Sequence, residues 1–377
     1  MRPCPLAWLL LIAGLVGLGA GCTSTPGMTG GSARPVSHLV EIDQHCRLAH
    51  VGGDTRLIAT DDGRLLLIGV GIGIMQSIDG GMTFSSINSP PGIRWPAIAS
   101  DGSRVWVSWI ERGSTDRAVV AAVGSGLGAP VLAIASSKTL IDTELVALGD
   151  GRLLLFVSEV EGRPNTNEAT YTIQCLVSEN GGLDWVILSR AVTGPFGVNV
   201  EDPRACITPG GSVLLAYEWE TEEGGASKIL VQRSEDGGSS WSPAVILWGG
   251  DPPGDNEPGG FVQVGSDLWF VASTDSEEPG MSYSGAEIAM IRSSDGGMTW
   301  TKPRTLISQP DEISMGGVVL DGVVILPSIR RYASAGNRYL ALHRVDRIGR
   351  WPIPCGLPGM FSAGFETGEV GPWDQGI

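Results

Sequence analysis

The chain has 377 residues, of which 42% are hydrophobic and 18% charged, so it can bury a large core and long disorder is excluded. Its formal net charge of −16, from 25 basic and 41 acidic residues, argues against a surface that binds a nucleic-acid backbone. Only 4 histidines are present, without an HExxH or paired CxxC motif, so we expect no metal and no other cofactor.

The first segment of the chain carries the pattern of a targeting sequence. Arg2 precedes an apolar run from Leu6 to Leu18, which is too short to cross a bilayer as a helix but suits the core of a signal peptide. Small residues then lead into Cys22, as in a bacterial lipobox, although Gly19 replaces the usual apolar residue. We expect residues 1–21 to be a signal peptide and Cys22 to be lipidated. Plain secretion and an uncleaved anchor are the alternatives, and each localises the protein to the cell envelope or outside it.

The remaining chain divides into three parts by composition. Residues 22–39 are rich in Gly, Ser, Thr and Pro and predict a flexible tether, followed by a folded region over 40–355 and a tail over 356–377. The folded region contains Cys46, Cys175, Cys206 and Cys355. Disulfides are compatible with export, but the pairing is not predictable from the sequence, and buried free thiols are the alternative.

Pairs of apolar, strand-like runs recur along the folded region on either side of short turns. RLIATDDGRLLLIG and ELVALGDGRLLLFV are typical of these pairs. The six turns lie at Asp62-Gly63, Asp101-Gly102, Asp150-Gly151, Gly210-Gly211, Ser266-Asp267 and Asp321-Gly322. Their spacing leaves room for about four short strands per unit. Six such units predict an all-β fold, a six-bladed β-propeller of four-stranded antiparallel blades.

A second repeat falls inside four of these units. SIDGGMTF, SENGGLDW, SEDGGSSW and SSDGGMTW align without gaps, and their third residues are Asp79, Asn180, Asp236 and Asp295. We expect this side chain to bond the backbone two residues on, the glycines to adopt positive φ, and the final aromatic to enter the core. The repeat therefore predicts a structural hairpin turn without a catalytic role.

These repeats are similar to the Asp-box, or BNR, repeat, and residues 40–355 resemble a sialidase-like propeller. Asp-boxes also occur in receptors, assembly factors and xyloglucanases, so the resemblance implies the fold more than the activity. RWPAIASDG resembles the sialidase segment whose arginine binds the substrate carboxylate, which implies that role for Arg94. ERGSTDRAVV resembles the loop with the general acid/base, which implies that role for Asp116.

The other candidate residues belong to the face opposite the hinge turns. Blade entries and the loops between the second and third strands meet there, and they contain many carboxylates and several arginines. Acids to move protons and arginines to hold an anion suit a carbohydrate site, although solvated loops carry such charges as well. The sialidase resemblance implies Arg330 and Arg331 as further anion-binding residues and Glu201, or alternatively Glu257, as an assisting glutamate; we favour Glu201. The tyrosine nucleophile of that family is not recognisable; Tyr283 and Tyr332 are the two tyrosines in loops of this face.

The leading hypothesis is therefore an exported glycoside hydrolase-like propeller that acts on a glycan or glycoconjugate. We expect a monomer that contacts a membrane only through its N-terminal lipid and does not bind nucleic acid. The alternative is a non-catalytic propeller of the bacterial envelope that binds a glycan or a protein on the same face.

Overall fold

A computed structural model describes residues 38–40 and 55–345, except 82, 88, 91, 165, 167, 222–226, 250–255, 276–285, 309–311, 315, 321–322 and 332–337. Every regular element in this part of the chain is a β-strand. No helix long and apolar enough to cross a membrane occurs in it. Cys22, the predicted signal peptide, most of the predicted tether and the predicted tail lie outside the described residues.

Five four-stranded antiparallel sheets follow one another along the chain. Blade 1 contains β2 (Thr55–Ala59), β3 (Leu65–Gly69), β4 (Gly73–Ser77) and β5 (Ser85–Ile87). Blade 2 contains β6 (Ala97–Ser100), β7 (Val105–Glu111), β8 (Asp116–Val123) and β9 (Val131–Ser136). Blade 3 contains β10 (Thr139–Ala147), β11 (Leu153–Gly162), β12 (Ala169–Ser178) and β13 (Val186–Thr193). Blade 4 contains β14 (Asn199–Ile207), β15 (Val213–Glu220), β16 (Ser227–Ser234) and β17 (Val245–Gly249). Blade 5 contains β18 (Asn256–Val264), β19 (Asp267–Asp275), β20 (Ala286–Ser293) and β21 (Arg304–Ser308).

The sixth sheet differs from the expectation of six four-stranded blades. It contains β22 (Glu312–Ser314), β23 (Val318–Leu320), β24 (Val323–Arg331), β25 (Arg338–Val345) and β1 (His38–Val40). The order is β1-β25-β24-β22, and β23 also pairs with β24, so this sheet has five strands. β1 overlaps the end of the segment that the sequence assigned to the tether. Its three residues pair with the edge of β25 and extend the sheet by one strand.

Apolar side chains fill the spaces between neighbouring sheets. The cluster between blades 3 and 4 joins Phe156 and Ile173 to Leu215 and Tyr217. Similar clusters lie between the other neighbouring blades and between blade 5 and the sixth sheet. Leu320 of the sixth sheet packs with Leu65 and Leu67 of blade 1. The strands are apolar on both faces because each sheet is covered on both sides, which is the packing of a β-propeller.

The hinge turns connect the first and second strands of each blade. Gly63, Gly102, Gly151 and Gly211 have φ between 79° and 94°, as expected for turns that need a left-handed residue. In blade 5, Val264 pairs with Asp267. The turn is therefore Gly265-Ser266, and the predicted Ser266-Asp267 was wrong by one residue because Asp267 is the first residue of a strand.

The four motif turns share one hydrogen-bond pattern. In blade 4, Ser234 Oγ accepts a bond from Gly238 N (2.7 Å), and Asp236 Oδ1 accepts one from Ser240 N (2.8 Å). Asp79, Asn180 and Asp295 likewise accept bonds from backbone amides four residues on. The prediction of a bond two residues on was wrong, because the two glycines first turn the chain back towards the side chain. Bonds from the Ser240 hydroxyl and amide lower the pKa of Asp236 to about 2.

The hinge turns and the motif turns lie together. Gly181 N donates to Gly151 O at 2.9 Å, which joins a motif turn to the hinge of the same blade. We call this side of the molecule the turn face and the opposite side the loop face. Because neighbouring strands are antiparallel, the innermost strand of each blade runs from the loop face to the turn face.

Candidate functional site

Three charged residues of the innermost strands meet at the centre of the ring. Arg56 Nε of blade 1 lies 3.7 Å from Glu144 Oε2 of blade 3, and the backbone amide of Ala205 in blade 4 donates to Glu144 Oε1 at 3.2 Å. Blades 1 and 3 are not neighbours, so this ion pair crosses the centre of the ring past blade 2. We call Arg56, Glu144 and Arg204 the central cluster.

Arg204 connects this cluster to two further blade entries. Its Nη2 lies 3.1 Å from Asp202 Oδ1, and its Nε donates to Gly259 O of blade 5 at 3.2 Å. Asp202 N in turn donates to Asp142 Oδ2 of blade 3 at 3.3 Å. The arginine is thereby held by its own blade and by blade 5, and only 5% of its surface is exposed.

Burial controls the electrostatics of the central cluster. It raises the pKa of Glu144, and the opposing effects of the positive charges of Arg56 and Arg204 and the Ala205 amide are smaller. A carboxyl group whose pKa is raised by burial can hold a proton closer to neutral pH, which a general acid requires.

The backbone is strained where the blades enter this region. Trp95, Asp142 and Asp202 have φ of 45°, 51° and 52°, a conformation that is unusual for a non-glycine residue and an outlier for tryptophan. β10 and β14 are bulged at Asp142 and between Glu201 and Arg204. Strained residues and bulges concentrate at functional sites, because they aim side chains that regular strands cannot aim.

The predicted acid/base, Asp116, lies at the loop-face end of β8 and is largely buried. Its carboxylate forms an ion pair with Arg112 and accepts bonds from Leu140 N at 3.0 Å and Gly113 N at 3.4 Å. The Arg112 guanidinium also stacks over the Trp95 ring, 4.5 Å from its centroid. These contacts join blade 2 to blade 3, so they favour a positioning role for Asp116.

Glu201 lies at the loop-face end of β14, directly opposite Glu218 of β15. Paired residues of antiparallel strands have Cβ atoms about 5 Å apart, so the two carboxylates lie side by side on one face of blade 4. Glu218 is 6% exposed and Glu201 is half-buried. Glu201 was predicted from the sequence, whereas Glu218 was not assigned a role.

The predicted arginines also belong to the loop face. Arg94 immediately precedes the strained Trp95, is exposed, and accepts a bond from Ile110 N at its carbonyl. Arg330 and Arg331 end β24, opposite Tyr339 and Arg338 of β25. The register places their backbone at the loop-face end, and their side chains lie outside what the structure describes, as do Tyr283 and Tyr332.

The central cluster was not predicted from the sequence. Arg56, Glu144 and Arg204 each lie three residues before the last paired residue of their innermost strand, which is Ala59, Ala147 or Ile207. Alignment of the blades on their hinge turns would have found this shared position. The shared distance from the hinge is the signal that could have singled them out, because β10 and β14 contain other charged residues as well.

The remaining chemistry-bearing residues give little support for other kinds of site. Cys175 and Cys206 are free, and burial raises the pKa of the Cys175 thiol to about 12. Cys46 and Cys355 lie outside the described residues. Tyr171 and Tyr217 are both core residues of blades 3 and 4. Across the described ranges, no group of three or more His, Cys, Asp or Glu side chains is arranged to hold a metal ion.

The fold is shared with solved carbohydrate-active propellers. No protein-family model and no curated protein matches the sequence. An α-L-arabinanase from Penicillium chrysogenum, solved with arabinobiose, superimposes with a TM-score of 0.55 at 16% identity, over 84% of this chain and 99% of the other. A Trypanosoma rangeli sialidase with a difluorinated 2-keto-3-deoxynononic acid gives 0.54 at 14% identity, over 78% and 54%. The same sialidase with sialic acid gives 0.51 at 13% identity, over 84% and 59%.

The chain therefore spans just over half the length of these sialidase structures and almost all of the arabinanase. At such low identities the similarity establishes the fold alone: an all-β propeller of four-stranded antiparallel blades.

Proposed function

We propose that this protein is a glycan-acting propeller of the glycoside hydrolase type that works at the loop face. The central cluster carries the proposal, because a buried carboxylate between two arginines is costly and is seldom kept for stability alone. The solved propellers with this fold include an arabinanase and a sialidase, which act on sugars.

Glu201 and Glu218 are the proposed catalytic carboxylates. Glycoside hydrolysis of the usual kind needs two carboxyl groups, and those of retaining enzymes are about 5 Å apart. The cross-strand pairing of these two glutamates supports such an arrangement. Asp116 is the alternative acid/base, because the sialidase resemblance implies that role for it.

Substrate binding is assigned to arginines of the loop face. Arg94, Arg330 and Arg331 remain the candidates from the sialidase resemblance, and Arg56 and Arg204 are added by their position at the ring centre. More specifically, we propose that the substrate is an anionic sugar of the kind that sialidases act on. Such a sugar would have to reach these arginines.

We further propose that the sixth sheet serves as the sixth blade, and that the protein is exported and lipid-anchored through Cys22. The packing of Leu320 against blade 1 supports the first point. The small residues before Cys22 support the second.

The test is hydrolysis of fluorogenic glycosides, including arabinofuranosides and sialosides, by the mature protein and its variants. Glu201→Gln and Glu218→Gln are expected to lower kcat at least about 100-fold, since each removes a group that transfers a proton or attacks. Asp116→Asn separates the two acid/base assignments. Glu161→Gln is the matched control, because this glutamate lies at the end of β11 with 70% of its side chain exposed and pairs with Lys138.

Absence of turnover by folded protein across the whole panel would contradict catalysis. The non-catalytic alternative, a glycan-binding propeller, is favoured by the engagement of Asp116 with Arg112 and Leu140. It predicts that Arg94→Lys weakens glycan binding measured by calorimetry, because Arg94 is exposed and lysine cannot reproduce a bidentate contact with an anion.

A further inference from the structure

A strained residue occupies the same position in three successive blades. Trp95, Asp142 and Asp202 have φ of 45°, 51° and 52°. Each lies five residues before the last paired residue of the innermost strand of its blade, which is Ser100, Ala147 or Ile207. A non-glycine residue keeps such a conformation only where its surroundings hold it, so the groups that contact these residues determine the path of the chain there.

In blade 2 the strained position directs a proposed substrate-binding residue. Arg94 immediately precedes Trp95, and its side chain is exposed. Across the described ranges no carboxylate forms an ion pair with Arg94, whereas Arg112 and Arg204 are each paired with an aspartate. The direction of the Arg94 side chain therefore depends on the backbone of Arg94 and Trp95.

Blade 3 holds this backbone through a buried hydroxyl group. Thr143 Oγ1 donates to Trp95 O at 2.6 Å and lies 2.9 Å from Ser108 Oγ of blade 2. Neither Thr143 nor Ser108 has any exposed surface. A hydroxyl group has one hydrogen, and the Thr143 hydrogen is used on the Trp95 carbonyl, so Ser108 donates to Thr143. The two hydroxyls form a chain that ends on the carbonyl of the strained residue.

The other contacts of this segment do not replace that hydrogen bond. Ile110 N donates to Arg94 O at 3.0 Å, and the Arg112 guanidinium lies 4.5 Å from the centroid of the Trp95 ring. Both contacts come from blade 2 itself. Apolar side chains also pack against Trp95, but such packing is non-directional and does not orient a carbonyl group. The Thr143 hydroxyl is thus the contact from blade 3 that orients the Trp95 carbonyl.

From these contacts we infer that Thr143 is a positioning residue that directs Arg94 towards the substrate. The inference rests on the anion-binding role of Arg94 put forward under Proposed function. Loss of the hydroxyl lets the Trp95 carbonyl turn and its φ relax, which moves the preceding guanidinium. Arg94 binds substrate but is assigned no proton transfer, so its displacement weakens binding more than it slows the chemical step.

The test compares Thr143→Val with Thr143→Ser in the hydrolysis of a fluorogenic sialoside. Valine has nearly the shape of threonine but cannot donate, whereas serine keeps the hydroxyl. Thr143→Val is expected to raise KM about 10-fold and to change kcat less than about threefold, because a hydrogen bond to a charged group of the substrate is lost. Thr143→Ser should keep KM within about twofold of the native value, since its hydroxyl still reaches the carbonyl.

A double-mutant cycle separates positioning from general stabilisation. In the Arg94→Ala background, Thr143→Val should have little further effect on KM, because the residue through which it acts is absent. The full effect in both backgrounds would overturn the inference. So would a loss of kcat as large as the rise in KM, or an equal effect on an uncharged arabinofuranoside.

Limited proteolysis supplies a readout that needs no sugar. Trypsin cleaves after Arg94 only when the local backbone opens, so Thr143→Val should be cleaved there about fivefold faster than the native protein or Thr143→Ser. Cleavage after Arg190, in β13, reports a wider opening of blade 3 and should change little. Fragments identified by mass spectrometry give both rates. Thr143→Ala takes the place of Thr143→Val if the valine variant does not fold.

The two readouts distinguish the possible failures. Equal cleavage rates after Arg94 in all variants would overturn the positioning role, even in a protein that hydrolyses the sialoside. Faster cleavage in Thr143→Val, in a native protein that neither hydrolyses the sialoside nor binds sialic acid in calorimetry, would support the positioning of the Arg94 backbone and contradict the proposed substrate.

Discussion

The surroundings of Glu144 have two opposing effects on the pKa of its side chain. Burial favours the protonated form, while Arg56 and Arg204 favour the ionised form, and the first effect is larger. Glu159 of the same blade shows the reverse balance. Burial raises its pKa, but bonds from Ser136 and Gln174 and the charge of Lys138 outweigh burial, so the pKa is lowered. Two glutamates of one blade thus have opposite effects on the pH dependence of stability.

This contrast predicts how the two residues contribute to the free energy of unfolding. The contribution of Glu144 is present below the pKa of an unfolded glutamate and is lost as the pH rises through its raised folded pKa. In Glu144→Gln, stability should therefore rise more between pH 4 and pH 7 than it does in the native protein. Urea unfolding across this range measures the difference.

Glu159→Gln is the control, with the opposite sign. Its lowered pKa stabilises the fold above the unfolded pKa and less so as the pH falls, so this variant should gain less stability between pH 4 and pH 7. Parallel slopes for both variants and the native protein would contradict the assignment of these shifts.

At the scale of the element, three motif turns join their blade to the one before it. The indole Nε1 of Trp106 in blade 2 donates to Gly181 O of blade 3 at 3.0 Å. Ser189 of blade 3 donates to Gly238 O, and Arg233 of blade 4 donates to Gly296 O. Three successive interfaces are therefore closed by a bond to a motif-turn carbonyl, which explains why the turns recur at blade spacing.

The second glycine of a motif turn packs more tightly than the first. A Cβ added at Gly297 would lie 2.4 Å from Leu214 Cδ1 of blade 4, whereas one added at Gly296 meets nothing within 4 Å. Both have positive φ, so both alanine variants carry conformational strain. We expect Gly296→Ala to cost about 1 kcal/mol and Gly297→Ala about 1–3 kcal/mol more, measured by urea unfolding. Equal losses would show that Leu214 moves aside without cost.

The strands and turns were largely predictable from the sequence, and their exact boundaries were not. Asp-Gly and Gly-Gly pairs between apolar runs indicate hinges because only they supply a left-handed residue at low cost. The Gly265-Ser266 hinge was misplaced because Asp267 follows directly and resembles the acidic residue of the other hinges.

The central cluster was missed for a different reason. A single arginine or glutamate in an apolar strand gives no sign of which distant strand provides its partner, and Arg56 and Glu144 are far apart in the chain. Only the closure of the ring brings them within 3.7 Å.

At the scale of the whole molecule, the first described strand pairs with the last. β1 bonds to β25, so residues near one end of the ring are held by residues near the other. Removal of β1 leaves the edge of β25 unpaired. The free N–H and C=O groups of an exposed strand edge can bond to another chain, which promotes association.

A chain that begins at residue 41 should therefore melt about 2–5 °C below one that begins at residue 32, which keeps β1. Differential scanning calorimetry with size-exclusion chromatography measures both effects, and we also expect more high-molecular-weight material from the shorter chain. Identical melting and elution of the two chains would mean that β1 contributes nothing to the ring.

The pairing of β1 with β25 also sets an order of events during folding. β1 is synthesised before any blade, but its partner β25 is the last of the described strands and follows blades 1 to 5. Until the sixth sheet has been synthesised, the blades can stack only as an open row with two free ends, and the contact between Leu320 and Leu65 forms only when that sheet is in place. Since contacts between distant parts of a chain form slowly, completion of the ring is the late step, and the incomplete row is the form that chaperones and proteases meet.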